Sequence, residues 1–579
     1  MDQLRGKQRH QLLHYLAEKI TCFKTKLLGK WQFFLLIICI VLIYRSLLST
    51  HALTTDDLAF HVARTGQYYL ALKQGQLPPR WAPNLNGGFG YPTFLFSYTF
   101  PYFVATILFM VLNISLQQAI NLTILGSIIF GGLGIAVFSS MYSDKKHIQI
   151  LSVFMYVFHP YMLLLVYRRG AFGEIVLAGI LPWILVLLHL IYKHHSSKSL
   201  VALLSVTIAL AWLSHPVLSF MIFLPGLLFM MLFLRKKKAI FNIFIGVALG
   251  TLLSLWGTAP GFIEKRFIDY KAQGVIGGYD REFISFPTGL MNLSLNQPGY
   301  STKSLISIGG TTILLFVFTS YLIIKHKNNL PQSKPILLLV GYMIVLTALT
   351  FPISSFVWKL IPFLHYLQFP WRFILILSLS SSILFLLVHA YLSKPGLMLI
   401  FAIIVLNSIQ YARPWGYFSA SDHEWFEYHG TASSFDELRP IWSIPYTPHQ
   451  VEEKVIMRSQ SHPLFIDHAD GTSSFHGVGS YEIKKWNGSE MQYVVTNEQP
   501  ATVIQKTYFY PGWTVFVNDR IVKIQYQDRE FPGRIVFDVP EGISRVRARF
   551  SETPERSIFN VISLISAGAL LVFIILPRK

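Results

Sequence analysis

Residues 117–141 read QQAINLTILGSIIFGGLGIAVFSSM, a segment without a single charged side chain. The hydrocarbon core of a bilayer is about 30 Å thick, so about 20 apolar residues cross it as a helix. The basic connector Asp144-Lys145-Lys146 follows directly. Because positive charge accumulates on the cytoplasmic side of membrane proteins, the pattern predicts a transmembrane helix that ends in the cytoplasm.

Further apolar runs of spanning length lie on both sides of this helix. They occupy 31–48, 147–166, 175–191, 198–214, 217–234, 239–256, 304–324, 335–351, 373–392, 396–412 and 558–576. The Lys- and Arg-rich connectors alternate as expected for cytoplasmic N and C termini. The sequence therefore predicts an α-helical polytopic protein of the bacterial plasma membrane, with about twelve spans and its active face outside.

Two segments depart from this pattern. Residues 1–30 combine an apolar face with many basic residues, which is typical of an amphipathic helix on the cytoplasmic surface of the membrane. Residues 100–112 are apolar but short, and Pro101 stands near their start, so we expect an interfacial or re-entrant helix. If this helix crosses the bilayer instead, every later connector changes side and the basic cluster 235–238 lies outside.

The composition excludes several classes of protein. Hydrophobic residues make up 53% of the chain and charged residues only 13%, which is too little charge for a cytosolic globular protein. Membrane orientation explains the net charge of +20, so no nucleic-acid partner is expected. The chain has no glycine-rich nucleotide-binding motif, and no nucleotide cofactor is expected. Cys22 and Cys39 lie before and within the first apolar run, where they cannot cross-link an external domain.

The predicted spans divide the chain into four parts. These are a cytoplasmic helix at 1–30, a transmembrane domain at 31–412 with external loops 49–116 and 257–303, an extracytoplasmic β-rich domain at 413–557 and a C-terminal anchor at 558–579. The spacing of Arg545, Arg547 and Arg549 between apolar residues is typical of a strand, and several turn signals surround it. The β-rich part is therefore predicted to be a small β-sandwich.

The first external loop carries an acid pair, Asp56 and Asp57, with His61 one helical turn beyond. Two carboxylates can supply a general base or bind a divalent cation. The same residues also fit a helix start, because Thr54-x-x-Asp57 is a capping pattern and acids are favoured near a helix N terminus. The residues alone leave both interpretations open.

A glycine-rich aromatic segment follows in the same loop. Arg80 and Trp81 precede Asn84-Leu85-Asn86-Gly87-Gly88-Phe89-Gly90-Tyr91-Pro92. Trp81 and Tyr91 could stack on a sugar, with backbone approaching closely at the glycines. Alternatively, the aromatic residues form a belt at the level of the lipid headgroups.

Charged residues and a histidine lie close to the predicted outer ends of several spans. Arg168 and Arg169 suit a phosphate through bidentate contacts, and Glu174 either balances them or binds a metal. Arg372 could hold a substrate phosphate or simply meet lipid phosphates. His215, next to a proline, could be a site residue or could satisfy backbone groups freed at a helix end.

Several motifs together resemble bacterial membrane proteins labelled pyruvoyl-tetrahydropterin synthase-related. One of them, Tyr510-Pro511-Gly512-Trp513, also resembles the YfhO-like membrane proteins. The motifs that carry the resemblance are Asp56-Asp57 with His61, 77–81, 87–92, Arg169-Gly170-Ala171 with Glu174, Gln368-Phe369-Pro370-Trp371-Arg372 and Tyr510-Pro511-Gly512-Trp513. The architecture is similar to that of the GT-C glycosyltransferases, multi-span enzymes with an acidic motif in the first external loop.

The resemblance implies a membrane glycosyltransferase. Its donor would be a polyprenyl-phosphate sugar and its acceptor a cell-surface polymer or glycolipid, with membrane lipids around both and with inversion at the anomeric carbon. Asp56 or Asp57 would act as base or help to bind a cation such as Mg²⁺ or Mn²⁺, and Glu174 would be a second acid. Pterin synthesis is not implied, because the chain lacks the histidine zinc site of the soluble synthase.

Two other functions compete with this interpretation. A transporter that moves a lipid-linked intermediate between leaflets would also have many spans and intramembrane arginines. A non-catalytic scaffold would use the β-rich domain to recruit other proteins. The transferase and the other two differ in one respect, since only the enzyme requires the acid pair Asp56-Asp57 for its activity.

Overall fold

The computed structural model describes residues 29–194, 197–221, 225–226, 236–269, 278–292, 301–326, 332–433, 436–445, 454–459, 465–467, 473–475 and 478–575. Residues 1–28 of the predicted amphipathic helix at 1–30, most of the expected span 217–234 and parts of the expected loop 257–303 lie outside these residues.

Within the described residues, thirteen helices of about twelve residues or more and the short helix α6, which follows the break after α5, are labelled in chain order. They are α1 (Lys30–Ile43), α2 (Leu58–Lys73), α3 (Phe100–Leu112), α4 (Leu116–Ser140), α5 (Lys146–Val157), α6 (Pro160–Leu164), α7 (Phe172–Lys193), α8 (Lys198–Ser214), α9 (Lys237–Glu264), α10 (Gly310–His326), α11 (Ser333–Thr350), α12 (Phe373–Val388), α13 (Lys394–Tyr411) and α14 (Pro554–Ile575). Short helical turns include Arg45–Leu48, Thr93–Phe96, Leu165–Arg169, Lys265–Phe267, Gly278–Glu282, Thr302–Leu305, Pro352–Ser354, Ser355–Leu360, Pro362–Leu367, Pro370–Arg372, His389–Tyr391 and Asp422–Phe426.

The helices support a membrane protein, but the expected count of about twelve spans is too high for the described chain. Seven helices there are long and apolar enough to cross a bilayer, namely α4, α7, α9, α11, α12, α13 and α14. An eighth results if α5 and α6, which are bent by 46° at a short break, form one span. The apolar helices α1, α3, α8 and α10 are shorter, between 10 and 17 residues.

Fewer spans are found than expected because some apolar runs include residues that do not continue the helix. The first expected span ends in the turn Arg45–Leu48, which leaves α1 short. The expected span 304–324 begins in the short turn Thr302–Leu305, which is followed by the non-helical residues 306–309, and α10 starts only at Gly310. Hydropathy alone cannot separate an apolar turn from an apolar helix. Helix α3 has the bounds expected for the interfacial or re-entrant segment, and which side of a membrane it faces stays a prediction.

The β-rich region near the C-terminal end of the chain is confirmed as two antiparallel sheets. The strands of the chain are β1 (Ala52–Leu53), β2 (Tyr417–Phe418), β3 (Val455–Ser459), β4 (Phe465–Asp467), β5 (Ser473–Phe475), β6 (Ser480–Trp486), β7 (Glu490–Asn497), β8 (Ala501–Tyr508), β9 (Trp513–Val517), β10 (Arg520–Val522), β11 (Arg534–Val539) and β12 (Gly542–Phe550). One sheet has the order β10-β9-β12-β7-β6 and the other β11-β8-β3, while β4 and β5 form a hairpin.

The two sheets face each other as a sandwich. Along β12, buried Val546 and Ala548 alternate with exposed Arg545, Arg547 and Arg549, as the sequence predicts. Between the sheets, the Tyr493 hydroxyl lies 3.1 Å from Gln505 Oε1.

The strand β12 leads into α14 through a tightly packed junction. Arg556, at the start of α14, is fully buried and donates from Nε and Nη2 to the two carboxylate oxygens of Glu264, at 2.7 and 2.8 Å. Arg556 Nη2 also donates to the Pro511 carbonyl oxygen at 2.8 Å. This charge pair joins the end of α9, the start of α14 and the β-sandwich at one point.

Candidate active site

The acid pair lies on a short loop whose backbone is held by two distant parts of the chain. Strand β1 pairs with β2, and the Thr54 N–H extends this pairing by donating to Gly416 O at 2.9 Å. The N–H groups of Asp56 and Asp57 donate to the carbonyl oxygens of Arg168 and Arg169, each at 2.9 Å. Both acids therefore have a fixed backbone position beside the two arginines.

The helix-start interpretation of these residues is only partly right. Helix α2 does begin at Leu58, but the hydroxyl that accepts from the Leu58 N–H, at 3.1 Å, belongs to Thr55. The Asp57 side chain makes no capping hydrogen bond and lies instead with Oδ2 3.4 Å from Arg169 Nη2. Because Thr55 caps the helix, the two carboxylates are available for other chemistry.

Asp56 meets a second set of side chains. Its Oδ1 lies 3.9 Å from Arg168 Nε, and its Oδ2 accepts a hydrogen bond from the Thr302 hydroxyl. Arg168 Nε in turn donates to the Thr302 oxygen at 3.1 Å, and the guanidinium lies over the ring of Trp415. The side chains of Asp56 and Asp57 are 35% and 31% exposed, whereas Arg168 and Arg169 are buried behind them.

The environment of Asp56 favours proton uptake. Burial raises the pKa of this carboxyl above its ordinary value, although the hydrogen bond from Thr302 and the charge of Arg168 act in the opposite direction. A carboxylate with a raised pKa accepts a proton more readily near neutral pH. The raised pKa suits Asp56 to act as a general base.

The two arginines stand at the end of an unusual helical turn. Residues Leu165–Arg169 form a π-helical turn, a feature often found at functional sites, and Gly170 ends it in the left-handed region with φ +64°. A Cβ at Gly170 would lie 2.2 Å from Thr55 Oγ1. Only glycine allows this approach, so Gly170 brings the arginine turn against the acid loop.

A third acid–arginine pair, Glu174 with Arg372, lies beside the pairs of Asp56 with Arg168 and Asp57 with Arg169. Glu174 accepts from the Tyr161 hydroxyl at 2.7 Å and lies 3.5 Å from Arg372 Nε. The guanidinium carbons of Arg372 and Arg169 lie 5.0 and 4.9 Å from the centre of the Phe369 ring. The structure therefore brings Arg168, Arg169 and Arg372 to one region, and their predicted role in binding phosphate stays a prediction.

The residues present do not form a complete metal site. Glu174 does not join the acid pair, because its oxygens face Tyr161 and Arg372. Asp56 and Asp57 each face an arginine, and the described residues hold no group of three His, Cys, Asp or Glu side chains that could bind a metal. Because Mg²⁺ is often held by one or two carboxylates together with substrate phosphate, cation binding by Asp56 and Asp57 stays a prediction.

The two predicted histidines support the site from behind. His61 is buried, with its ring nitrogens 2.8 Å from the Tyr102 hydroxyl and 3.2 Å from the Tyr98 hydroxyl. Burial lowers the pKa of His61 well below its ordinary value, so the ring is neutral. His215 accepts from the Leu218 N–H at 3.2 Å and stacks on Tyr98. His215 thus satisfies a backbone N–H group at a helix end, which is one of the two roles considered for it.

Arg80, Trp81 and Tyr91 are placed differently from the sugar-stacking expectation. Trp81 and Tyr91 are almost completely buried, because the first loop packs against the β-sandwich and the segment before it. Trp81 contacts Trp513 of β9 edge-on at 5.9 Å, and Arg80 donates to Glu552 at 2.9 Å. The Tyr91 hydroxyl donates to Asp436 at 2.7 Å. These residues join two parts of the chain and offer no free ring face to a ligand.

Two members of the site have no counterpart in the sequence interpretation. Thr302 contacts Asp56 from a segment 246 positions further along the chain, and no motif marks it. Trp415 covers Arg168 and stands in Arg413-Pro414-Trp415-Gly416, directly after α13. A tryptophan between proline and glycine at the end of a span was a usable signal, since such residues often lie at the membrane surface.

Comparison with known protein sequences finds a match to only part of the chain. No family model matches the chain. A protein of Lactococcus lactis subsp. cremoris (strain MG1363), described as uncharacterized, is 29% identical over 328 residues, which are 52% of this chain and 50% of that protein. The chain thus spans about half the length of this curated relative. The resemblance to the pyruvoyl-tetrahydropterin synthase-related and YfhO-like proteins stays a prediction.

Solved structures of a mycobacterial enzyme show a distant likeness. The arabinofuranosyltransferase AftD from Mycobacteria aligns with a TM-score of 0.44 and 14% identity, over 69% of this chain and 28% of that one. A variant of the same enzyme aligns with a TM-score of 0.40 and 15% identity, over 67% and 28% of the two chains.

Proposed function

We propose that this chain is a membrane glycosyltransferase of the GT-C type that transfers a sugar from a polyprenyl-phosphate donor to a cell-surface polymer or glycolipid on the outer face. The observation that carries the proposal is the acid pair itself. Asp56 and Asp57 are partly exposed, fixed at the backbone and set against buried arginines. A packing role alone would not leave two carboxylates open beside three arginines.

Arg169 and Arg372 are assigned to the donor phosphate. Both guanidiniums lie against Phe369, and each acts electrostatically on the other. Nη1 of Arg169 is buried and has no hydrogen-bond acceptor among the described residues. A phosphate oxygen would supply the missing acceptor, and guanidinium groups bind phosphate through two parallel hydrogen bonds.

The reaction is a single displacement at the anomeric carbon. The acceptor hydroxyl oxygen forms a bond to that carbon while the bond from the carbon to the phosphate oxygen breaks. The electron pair of the broken bond stays on the polyprenyl phosphate, which Arg169 and Arg372 stabilise, and the hydroxyl proton passes to Asp56. Attack opposite the leaving group inverts the anomeric centre. Arg168 and Thr302 hold Asp56 in place.

The test is sugar transfer by purified protein in lipid nanodiscs from a labelled polyprenyl-phosphate sugar. Asp56→Asn should lower the rate about 100-fold or more, because a positioned general base contributes that much. Asp57→Asn should have a smaller effect, through loss of its contact with Arg169. Asp519→Asn, an exposed turn residue in the β-sandwich, is the matched control. Unchanged transfer in a folded Asp56→Asn protein would refute the assignment of the base.

A transporter of a lipid-linked intermediate is the second candidate. The bend of 46° between α5 and α6 favours it, since broken helices often line transport sites. It predicts movement of a fluorescent polyprenyl phosphate between leaflets of proteoliposomes, and this movement should persist in Asp56→Asn. Transfer without such movement would support the enzyme.

A further inference from the structure

The first loop and the β-sandwich meet at a second basic cluster, separate from the acid pair. Arg534 starts β11 opposite Tyr508 of β8, and the Tyr508 N–H donates to Phe89 O at 2.9 Å. The Phe89 ring stacks on Tyr508 with 4.8 Å between ring centres. The glycine-rich segment of the loop thereby lies directly over Arg534.

Arg534 is a buried cation that has no counter-charge among the residues that the structure describes. Its side chain lies against Phe89 and Phe531, with the guanidinium carbon 4.6 and 4.9 Å from the two ring centres. No described acidic side chain forms an ion pair with it, and burial lowers its pKa to about 10. Burying an uncompensated charge is costly, and proteins usually pair such a charge or use it to bind an ion.

The guanidinium is still open to a ligand. The residue as a whole is 7% exposed. Its side-chain nitrogens make no hydrogen bond within the described residues, and none of them is completely sealed from solvent. The aromatic rings cover its faces. The small exposure that remains lets this planar fork of donors receive an anion.

A second cation lies at the same point. Lys506 Nζ is 5.5 Å from the centre of the Phe89 ring and would be 3.7 Å from a Cβ on Gly88. Gly88 has φ +77°, and its lack of a side chain leaves the space beside Lys506 open. His429 Nδ1 donates to Asn84 O at 3.0 Å, which holds the glycine-rich segment in this position.

We propose that Arg534 and Lys506 form a binding site for a phosphate group at the seam between the glycine-rich loop and the β-sandwich. A phosphate monoester carries more charge than a carboxylate and has three terminal oxygens, and a phosphodiester headgroup still presents two terminal oxygens that share one charge, so either group can meet two cations from neighbouring strands. Either a soluble phosphate ester or a phospholipid headgroup could provide that group. The proposal does not depend on the proposed transferase activity.

The test measures thermal unfolding of the full chain with defined probes. In detergent without phosphate, glycerol 1-phosphate at 10 to 100 times its Kd should raise the unfolding temperature of the wild type by about 3 °C or more. Nanodiscs of phosphatidylglycerol and of a galactosyl diacylglycerol, which has no phosphate, distinguish a headgroup from a soluble ester. Stabilisation by phosphatidylglycerol alone would identify the lipid as the source.

Arg534→Met should abolish this response. Without phosphate its unfolding temperature should equal or exceed that of the wild type, because the removed charge has no counter-ion. Arg549→Met removes an exposed arginine from the same domain and should respond as the wild type does. Lys506→Met should weaken the response, and it provides the readout if Arg534→Met does not fold. A wild type that no probe stabilises, or an Arg534→Met protein that still responds, would overturn the proposal.

Discussion

At the scale of single residues, Thr302 controls the proton affinity of the proposed base. Its hydroxyl donates to Asp56 and favours the charged form of the carboxylate, which lowers the pKa that burial raises. A general base works above its pKa. Thr302→Val should therefore raise the pKa of Asp56 and move the acid limb of the kcat/KM profile to higher pH.

This shift is measurable as a larger loss of sugar transfer at pH 6 than at pH 8. Thr302→Ser keeps the hydroxyl and is the control, with a profile like that of the wild type. An equal loss at all pH values would mean that Thr302 acts on the shape of the site and leaves the proton affinity of Asp56 unchanged.

Gly170 sets the distance between the arginine turn and the acid loop. Gly170→Ala should lower sugar transfer at least about tenfold, because a displacement of reacting groups by 1 Å can cost 100-fold. Gly75→Ala is a matched control, since Gly75 also has a positive φ but no atom would lie within 4 Å of its Cβ. Both variants share the backbone strain, so any further loss in Gly170→Ala reports the contact with Thr55. Equal rates in the two variants would contradict this role.

The sequence predicts the charged members of the site but not their supports. Asp56, Asp57, Arg168, Arg169 and Arg372 are recognisable because charge near an apolar run is costly and needs a reason. Thr302 and Trp415 are ordinary residue types at ordinary positions, and only the folded chain shows their contacts. Glu174 looks like a metal ligand in sequence because nothing there reveals Tyr161 as its hydrogen-bond donor.

At the scale of elements, the ion pair between α9 and α14 should contribute strongly to stability. Removing one member of a buried pair leaves an uncompensated charge and costs about 3–5 kcal/mol. Arg556→Met should lower the free energy of unfolding by about that amount, measured by denaturant titration in detergent. The double variant Glu264→Leu with Arg556→Met should recover most of the loss. A double variant as unstable as the single one would show that shape rather than charge determines the effect.

The elements themselves are predicted unevenly by the sequence. Long apolar runs such as those of α4 and α7 are found with nearly correct bounds, because few alternatives satisfy so many apolar residues. The break between α5 and α6 is not predicted, since the residues around His159 are apolar on both sides. The β-sandwich follows from alternation, but its contact with the glycine-rich loop depends on residues more than 400 positions apart.

At the scale of the whole molecule, the orientation in the membrane is the prediction that fixes where the acid pair faces. In a Cys22→Ser, Cys39→Ser background, Asp519→Cys should react with an impermeant maleimide on intact cells. Asp144→Cys should react only after permeabilisation, because its basic connector is predicted to be cytoplasmic. Ile114→Cys reports on α3, and its labelling from outside indicates that α3 does not cross. The reverse pattern at Asp519 and Asp144 would invert the topology.

The strand pairing at the acid loop has a consequence for biosynthesis. Strand β1 and the acids leave the ribosome early, whereas β2 and Gly416, with which β1 and Thr54 pair, are made more than 350 residues later. Until that later segment has been synthesised and moved across the membrane, the acid loop lacks its neighbouring strand. A nascent chain therefore carries the acids without their final geometry, and competence for the proposed reaction arises only after residue 416 has been made.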